Sequence, residues 1–171
     1  ADMMTIRERF GSARKKVLLT WAWHPKPLPM AVPNSFALAA AQFGHDLTIA
    51  HPAGYDLDAE LLAEIESHAA MNGGSVEFTN HPHEAFDGAE VVYAKSWGSS
   101  RFYGDPDGEA VLRAPHRQDW IVDESKMART SDAVFMHCLP VRRNVIVTDG
   151  VIDSSNSLVI DEAENRLHVQ K

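Results

Sequence analysis

The chain has 171 residues, 44% of them hydrophobic, and its 24 Asp and Glu outnumber 16 Lys and Arg, for a formal net charge of −8. That length and apolar share suit one domain around a single core, and no apolar run reaches the roughly 18 residues that a membrane-spanning helix needs. The acidic balance speaks against a nucleic-acid surface while leaving room for a local basic pocket. With no signal-peptide pattern at its start, the chain reads as a soluble, cytoplasmic protein.

Residues 1–10 have the spacing of an amphipathic helix, and a first strand is expected at 17–21 (VLLTW). The turn that follows, His24-Pro25-Lys26-Pro27-Leu28-Pro29, is stiffened by its three prolines, which suits a loop that must hold His24 in one place. Further strands are expected at 47–50, 76–79, 91–94, 133–136 and 158–160. Helices are expected at about 31–43, 58–71, 83–87, 124–129, 148–152 and from about 161. Such alternation predicts an α/β fold: a doubly wound, mostly parallel sheet with helices on both faces, a Rossmann-like three-layer sandwich. Residues 98–118 stand apart. Three glycines, two prolines and little periodicity make them a long loop, of a kind that is usually either disordered or a substrate-facing lid.

Most of the chemistry lies in His137-Cys138-Leu139-Pro140-Val141-Arg142-Arg143, directly after the strand at 133–136. A thiol, an imidazole and two guanidinium groups share one strand-to-loop turn, where open α/β sheets carry their sites. Cys138 is the only cysteine, which excludes an intrachain disulfide and any paired-cysteine metal or redox motif. Its bland alternative is a small core hydrophobe. Arg142 and Arg143 are costly to bury unpaired, so the turn should open to solvent and attract anions. Lys95, at the end of the strand at 91–94, could be an ordinary solvated lysine or a site residue. His81-Pro82-His83-Glu84 lacks a second ligand pair and is a poor metal template; the remaining histidines are scattered singly. No Gly-x-Gly-x-x-Gly follows any expected strand, so a dinucleotide site is disfavoured.

The His137-Cys138-Leu139-Pro140 run, with segments 17–36, 46–58, 88–99, 119–127, 136–149 and 161–171, resembles the aspartate/ornithine carbamoyltransferases, and within them the branch acting on N-acylated ornithine. The resemblance implies transfer of the carbamoyl group from carbamoyl phosphate to the δ-amine of N-acetyl- or N-succinylornithine, giving N-acylcitrulline in arginine biosynthesis, with no metal or organic cofactor. It gives His137 and Arg166 to the carbamoyl oxygen, and Cys138 with the Leu139 and Pro140 carbonyls to the attacking amine. The catalytic set is thus His137, Cys138 and Arg166. His24, Asn34, Lys95, Ser96 and Arg142 join Leu139 and Pro140 as substrate-binding residues. Lys95-Ser96-Trp97-Gly98 takes the place of a loop that ornithine-specific relatives precede with an aspartate. An aspartate suits a free α-ammonium; a lysine suits an acyl carbonyl or carboxylate oxygen.

The family's Ser-x-Arg-Thr and His-Pro-x-Gln motifs do not occur in this sequence. The resemblance therefore implies the acceptor-binding half of a larger enzyme, with residues 1–12 an interdomain helix and 13–171 the ornithine/acceptor domain, inactive without the carbamoyl-phosphate domain. It also implies a homotrimer. Acetyl against succinyl stays open: Ile146 stands where some acetylornithine-type relatives have lysine, while the ending LHVQK leans towards them. Two alternatives stand beside this reading, a carbamoyltransferase-like enzyme acting on another amine, free ornithine included, and a non-catalytic small-molecule-binding α/β module.

Overall fold

Short apolar runs form the framework of the computed structural model, which describes residues 1–171. Strands β1 (Lys16–Trp21), β2 (Asp46–Ala50), β3 (Ser75–Thr79), β4 (Val91–Lys95) and β5 (Val134–Met136) make one sheet in the order β3-β2-β1-β4-β5. Every neighbouring pair is parallel, with Leu18 opposite both Thr48 and Val92. In β1 every residue after Lys16 is buried, the pattern of a central strand covered on both faces. The burial falls away in β3, an edge strand with no fully buried residue.

Seven helices complete the fold: α1 (Asp2–Phe10), α2 (Ala31–Gln42), α3 (Ala59–Met71), α4 (Pro106–Arg113), α5 (Glu124–Met127), α6 (Asp149–Ile152) and α7 (Val159–Val169). Helices α2 and α3 pack against one another, as consecutive crossovers of one hand, β1 to β2 to β3, require. This is the doubly wound α/β architecture expected from the alternation of elements. Asp58 starts α3 by accepting the amides of Glu60 at 2.9 Å and Leu61 at 3.2 Å, two of the donors that a helix start leaves free. The first and last helices meet where Asn165 donates to Thr5 Oγ1 at 2.9 Å and to Glu8 Oε2 at 2.6 Å.

Three expected elements differ. The sixth strand at 158–160 is absent: a single bridge joins Phe135 to Ser157, and Val159 already opens α7. Leu158-Val159-Ile160 is too short an apolar run to separate strand from helix by periodicity; in the helix Val159 faces inward while Ile160 is 70% exposed. Residues 83–87 form only a 3₁₀ turn, Glu84–Phe86. The supposed loop 98–118 carries α4 between two 3₁₀ turns, Ser100–Phe102 and Ala114–His116. Asp105 caps α4 by accepting Gly108 N–H at 3.0 Å, and Pro106 occupies its first position.

Candidate active site

The sheet reverses its strand order between β1 and β4, and the crevice beyond the carboxyl ends of such strands is where open α/β sheets bind ligands. The turn after β1 brings His24 there, β4 ends on Lys95, and β5 runs straight into His137 and Cys138.

His137 is 1% exposed. The Leu139 amide donates to its Nδ1 at 3.0 Å, which leaves the ring proton on Nε2. That Nε2–H is buried and has no partner. Burial, reinforced by the Lys95 ammonium, pushes the imidazole pKa down to about 3, so at neutral pH the group is an uncharged donor.

Behind it, the His137 amide donates to Glu162 Oε2 at 3.0 Å. Glu162 is itself buried among α7, α1 and β5. Desolvation, with Asp2 of α1 facing it, raises its pKa to about 8. One turn further along α7, Arg166 does not pair with Glu162. Its Nη1 donates to the Cys138 carbonyl at 3.1 Å, and the rest of the exposed guanidinium makes no hydrogen bond to the protein.

A second group of donors lies alongside. His24 shares its Nδ1 proton with the Lys26 carbonyl at 2.9 Å, and its Nε2 accepts Arg142 Nε–H at 3.0 Å. Burial lowers the His24 pKa, and the positive charges of Arg142, Arg113 and Lys95 push the same way. Lys95 lowers both imidazoles, and no carboxylate or other side chain pairs with it. Asn34, in the first turn of α2, keeps a buried amide oxygen without a partner.

Other expected residues behave differently. Ser96 is fully buried, and its hydroxyl accepts Arg113 at 3.1 Å, so its side chain is engaged inside the fold rather than in the cleft. Arg143 is bound to Asp149 and Asp153 and is not an anion receptor. Leu139 has a φ of 42° and its peptide to Pro140 is cis; Pro140 is exposed and Cys138 half-buried. Sequence reasoning missed Glu162 and the Arg113–Glu109 pair. The i, i+4 spacing of Glu109 and Arg113 behind an Asp-Pro start was the readable sign of the latter. Nowhere do three His, Cys, Asp or Glu side chains converge as a metal site would need; the donors gathered here suit anionic oxygens and carbonyls.

Residues 29–171 match the family model of the aspartate/ornithine carbamoyltransferase Asp/Orn-binding domain. The chain belongs to the aspartate/ornithine carbamoyltransferases. Among its carbamoyltransferase relatives, the N-acetylornithine carbamoyltransferase of Xanthomonas campestris is 47% identical over 175 residues, covering the whole chain and 51% of that protein. The N-succinylornithine carbamoyltransferase of Bacteroides thetaiotaomicron is 45% identical over 166 residues, covering 97% of the chain and 47% of the relative. A crystal structure of acetylornithine transcarbamylase with acetylcitrulline superposes with a TM-score of 0.96 at 46% identity, over 99% of this chain and 52% of that one. The chain thus spans about half the length of the relatives it matches.

Proposed function

We propose that this chain is the acceptor-binding half of an enzyme that transfers the carbamoyl group of carbamoyl phosphate to the δ-amine of an N-acylated ornithine, N-acetyl- or N-succinyl-L-ornithine. In this reading residues 1–12 are the interdomain helix and 13–171 the acceptor domain, and the complete enzyme is a cytoplasmic homotrimer. The observation that carries it is the unpaired Lys95 between two neutral imidazoles. A free amino acid brings an α-ammonium that this cation would repel; an acylated one brings only a carbonyl and a carboxylate, both acceptors for Lys95 and Arg142, and an amide N–H for the buried oxygen of Asn34. Acylornithine carbamoyltransferases among the relatives lend support.

The chemistry follows from the donors. As the δ-amine attacks, a C–N bond forms and the carbamoyl carbonyl oxygen gains negative charge; when the tetrahedral intermediate collapses, the C–O bond to phosphate breaks and phosphate departs with the proton that the amine loses. The buried Nε2–H of His137 has no competing partner and needs no reorganisation to meet that oxygen; a preorganised donor of this kind is worth about 3–4 kcal/mol. Arg166 supplies a second donor from its free guanidinium edge. A neutral His137 donates this hydrogen bond without transferring its proton, so it does not protonate the amine, which must attack unprotonated. Cys138 and the carbonyls of Leu139 and Pro140 orient that amine; no covalent enzyme intermediate is required.

The test is a ureido-product assay on the complete enzyme with carbamoyl phosphate and, in parallel, ornithine, N-acetylornithine and N-succinylornithine. Product from an acylated acceptor alone is expected, and it names the acyl group. Product from free ornithine at a comparable rate overturns the role given to Lys95.

A further inference from the structure

One buried ion pair has no part in the chemistry above. Glu109 and Arg113, one turn apart on α4, are each 2% exposed and bound to one another. The Arg113 guanidinium lies 5.2 Å from the ring centre of Trp21 and 5.4 Å from that of Tyr55. Its Nη1 donates to Ser96 Oγ at 3.1 Å and to the His24 carbonyl at 3.3 Å, and its Nη2 donates to the Trp97 carbonyl at 2.9 Å. Trp23 Nε1 returns a bond to the Arg113 carbonyl at 3.2 Å. One side chain therefore ties together the turn after β1, the segment after β4 and α4. The seam is tight: a Cβ on Gly98 would sit 3.2 Å from both Glu109 Oε2 and Pro27 Cβ.

Stability is a poor reason for this arrangement. A buried ion pair seldom outperforms apolar side chains of the same volume, and Arg113 Nε is left without a partner. A planar guanidinium does what apolar packing cannot, fixing several acceptors in direction as well as distance. Both ends of its reach lead to donors of the acceptor site. The His24 carbonyl belongs to the residue whose imidazole receives Arg142, and Ser96 is the neighbour of Lys95.

We propose that Arg113, held by Glu109, is a positioning residue that sets acceptor affinity by keeping His24 with Arg142 and the Lys95–Trp97 segment in register across the cleft. It touches no substrate, and the inference rests on the acceptor-site reading given above. It also gives the 98–118 segment a fixed structural duty in place of the disordered stretch or substrate-facing lid expected from its composition.

The experiment compares the complete enzyme with the Arg113→Met/Glu109→Leu and Arg113→Lys variants. The acceptor is N-acetylornithine or N-succinylornithine, whichever the parent carbamoylates. The apolar double variant should keep the parental urea midpoint and raise the acceptor KM about ten- to a hundredfold, with the KM for carbamoyl phosphate and kcat at saturating acceptor within about twofold. Arg113→Lys retains charge but not the planar fork; it should raise the acceptor KM as well, and it decides the matter if the double variant does not fold. An unchanged acceptor KM in a folded variant overturns the proposal. So does a parallel loss of kcat and of both affinities with a lowered urea midpoint, the mark of a purely structural role. Lys95→Ala runs beside them. If it too leaves acceptor KM unchanged, the acceptor-site reading fails and takes this inference with it. If only Lys95→Ala raises it, the positioning role alone is wrong.

Discussion

Glu162→Gln should make the protein more stable at neutral pH and remove the part of its pH dependence that Glu162 contributes. The Glu162 carboxyl takes the His137 amide on one oxygen, leaves the other buried without a partner, and faces Asp2 across the α1–α7 contact. Of the charged groups around it, only Arg166 favours its ionised form; the Tyr93 hydroxyl beside it is buried and neutral. Folding therefore raises its pKa from 4.5 to about 8. Between those values the unfolded chain has lost a proton that the folded chain keeps, so stability is fully present below the lower value and declines as pH rises to the upper one. From pH 5 to pH 7.5 the decline amounts to about 3 kcal/mol. A glutamine keeps an acceptor for the His137 amide and has no proton to lose. Urea unfolding of parent and variant at half-unit steps from pH 5 to pH 8 measures the difference directly. The variant's advantage should grow with pH across that window. A constant gap, or one that shrinks as pH rises, refutes the claim that Glu162 is held protonated.

Four further outcomes are expected. His137→Gln in the complete enzyme should lower kcat by about 10²–10³, the cost of one lost preorganised donor, with little change in acceptor KM by steady-state kinetics. The same substitution should remove a contribution that weakens the parent as pH falls from the ordinary histidine value of 6.5 towards about 3, the window in which the unfolded chain binds a proton that the buried imidazole refuses. Glu162 drifts the opposite way over this range, so the effect is read as the gap between variant and parent in thermal melts from pH 6.5 to 4.5, which should widen in the variant's favour as pH falls. Asp58→Ala, which removes the two-amide cap of α3, should cost about 1 kcal/mol in urea unfolding. The 171-residue chain alone should release no ureido product from carbamoyl phosphate and either acylornithine, and measurable turnover would show that the donors assembled here suffice without a second domain.

The strands that carry the site were readable because each is a mostly apolar run ended by a polar or proline-bearing turn. That pattern located β1, β4 and β5, and with them His24, Lys95 and His137. It failed at 158–160, where three apolar residues fit a helix start as well as a strand, and tertiary packing on β5 decided. It failed again at 98–118, where glycine and proline density hid an Asp-Pro cap followed by a Glu-x-x-x-Arg pair. Side-chain destinations were harder still. Ser96 and Arg143 are of the right type and in the right turns, yet one is held by Arg113 and the other by Asp149 and Asp153, partners that only the fold brings near. Glu162 stands in the first turn of α7, where an acid is the ordinary choice, and nothing nearby in sequence marks its burial against α1.

The spacing of two contacts along α7 has a mechanical consequence. Glu162 grips the amide of His137 and Arg166 grips the carbonyl of Cys138, so a stiff rod holds one dipeptide at both ends. Each residue of helix advances about 1.5 Å along its axis, and sliding the rod by even that much would strip both grips together, whereas tilting it about Glu162 would free Arg166 alone. Helix α7 is therefore a lever with its fulcrum under the imidazole. Any force that swings its far end reaches the Arg166 guanidinium first and leaves His137 where the sheet holds it.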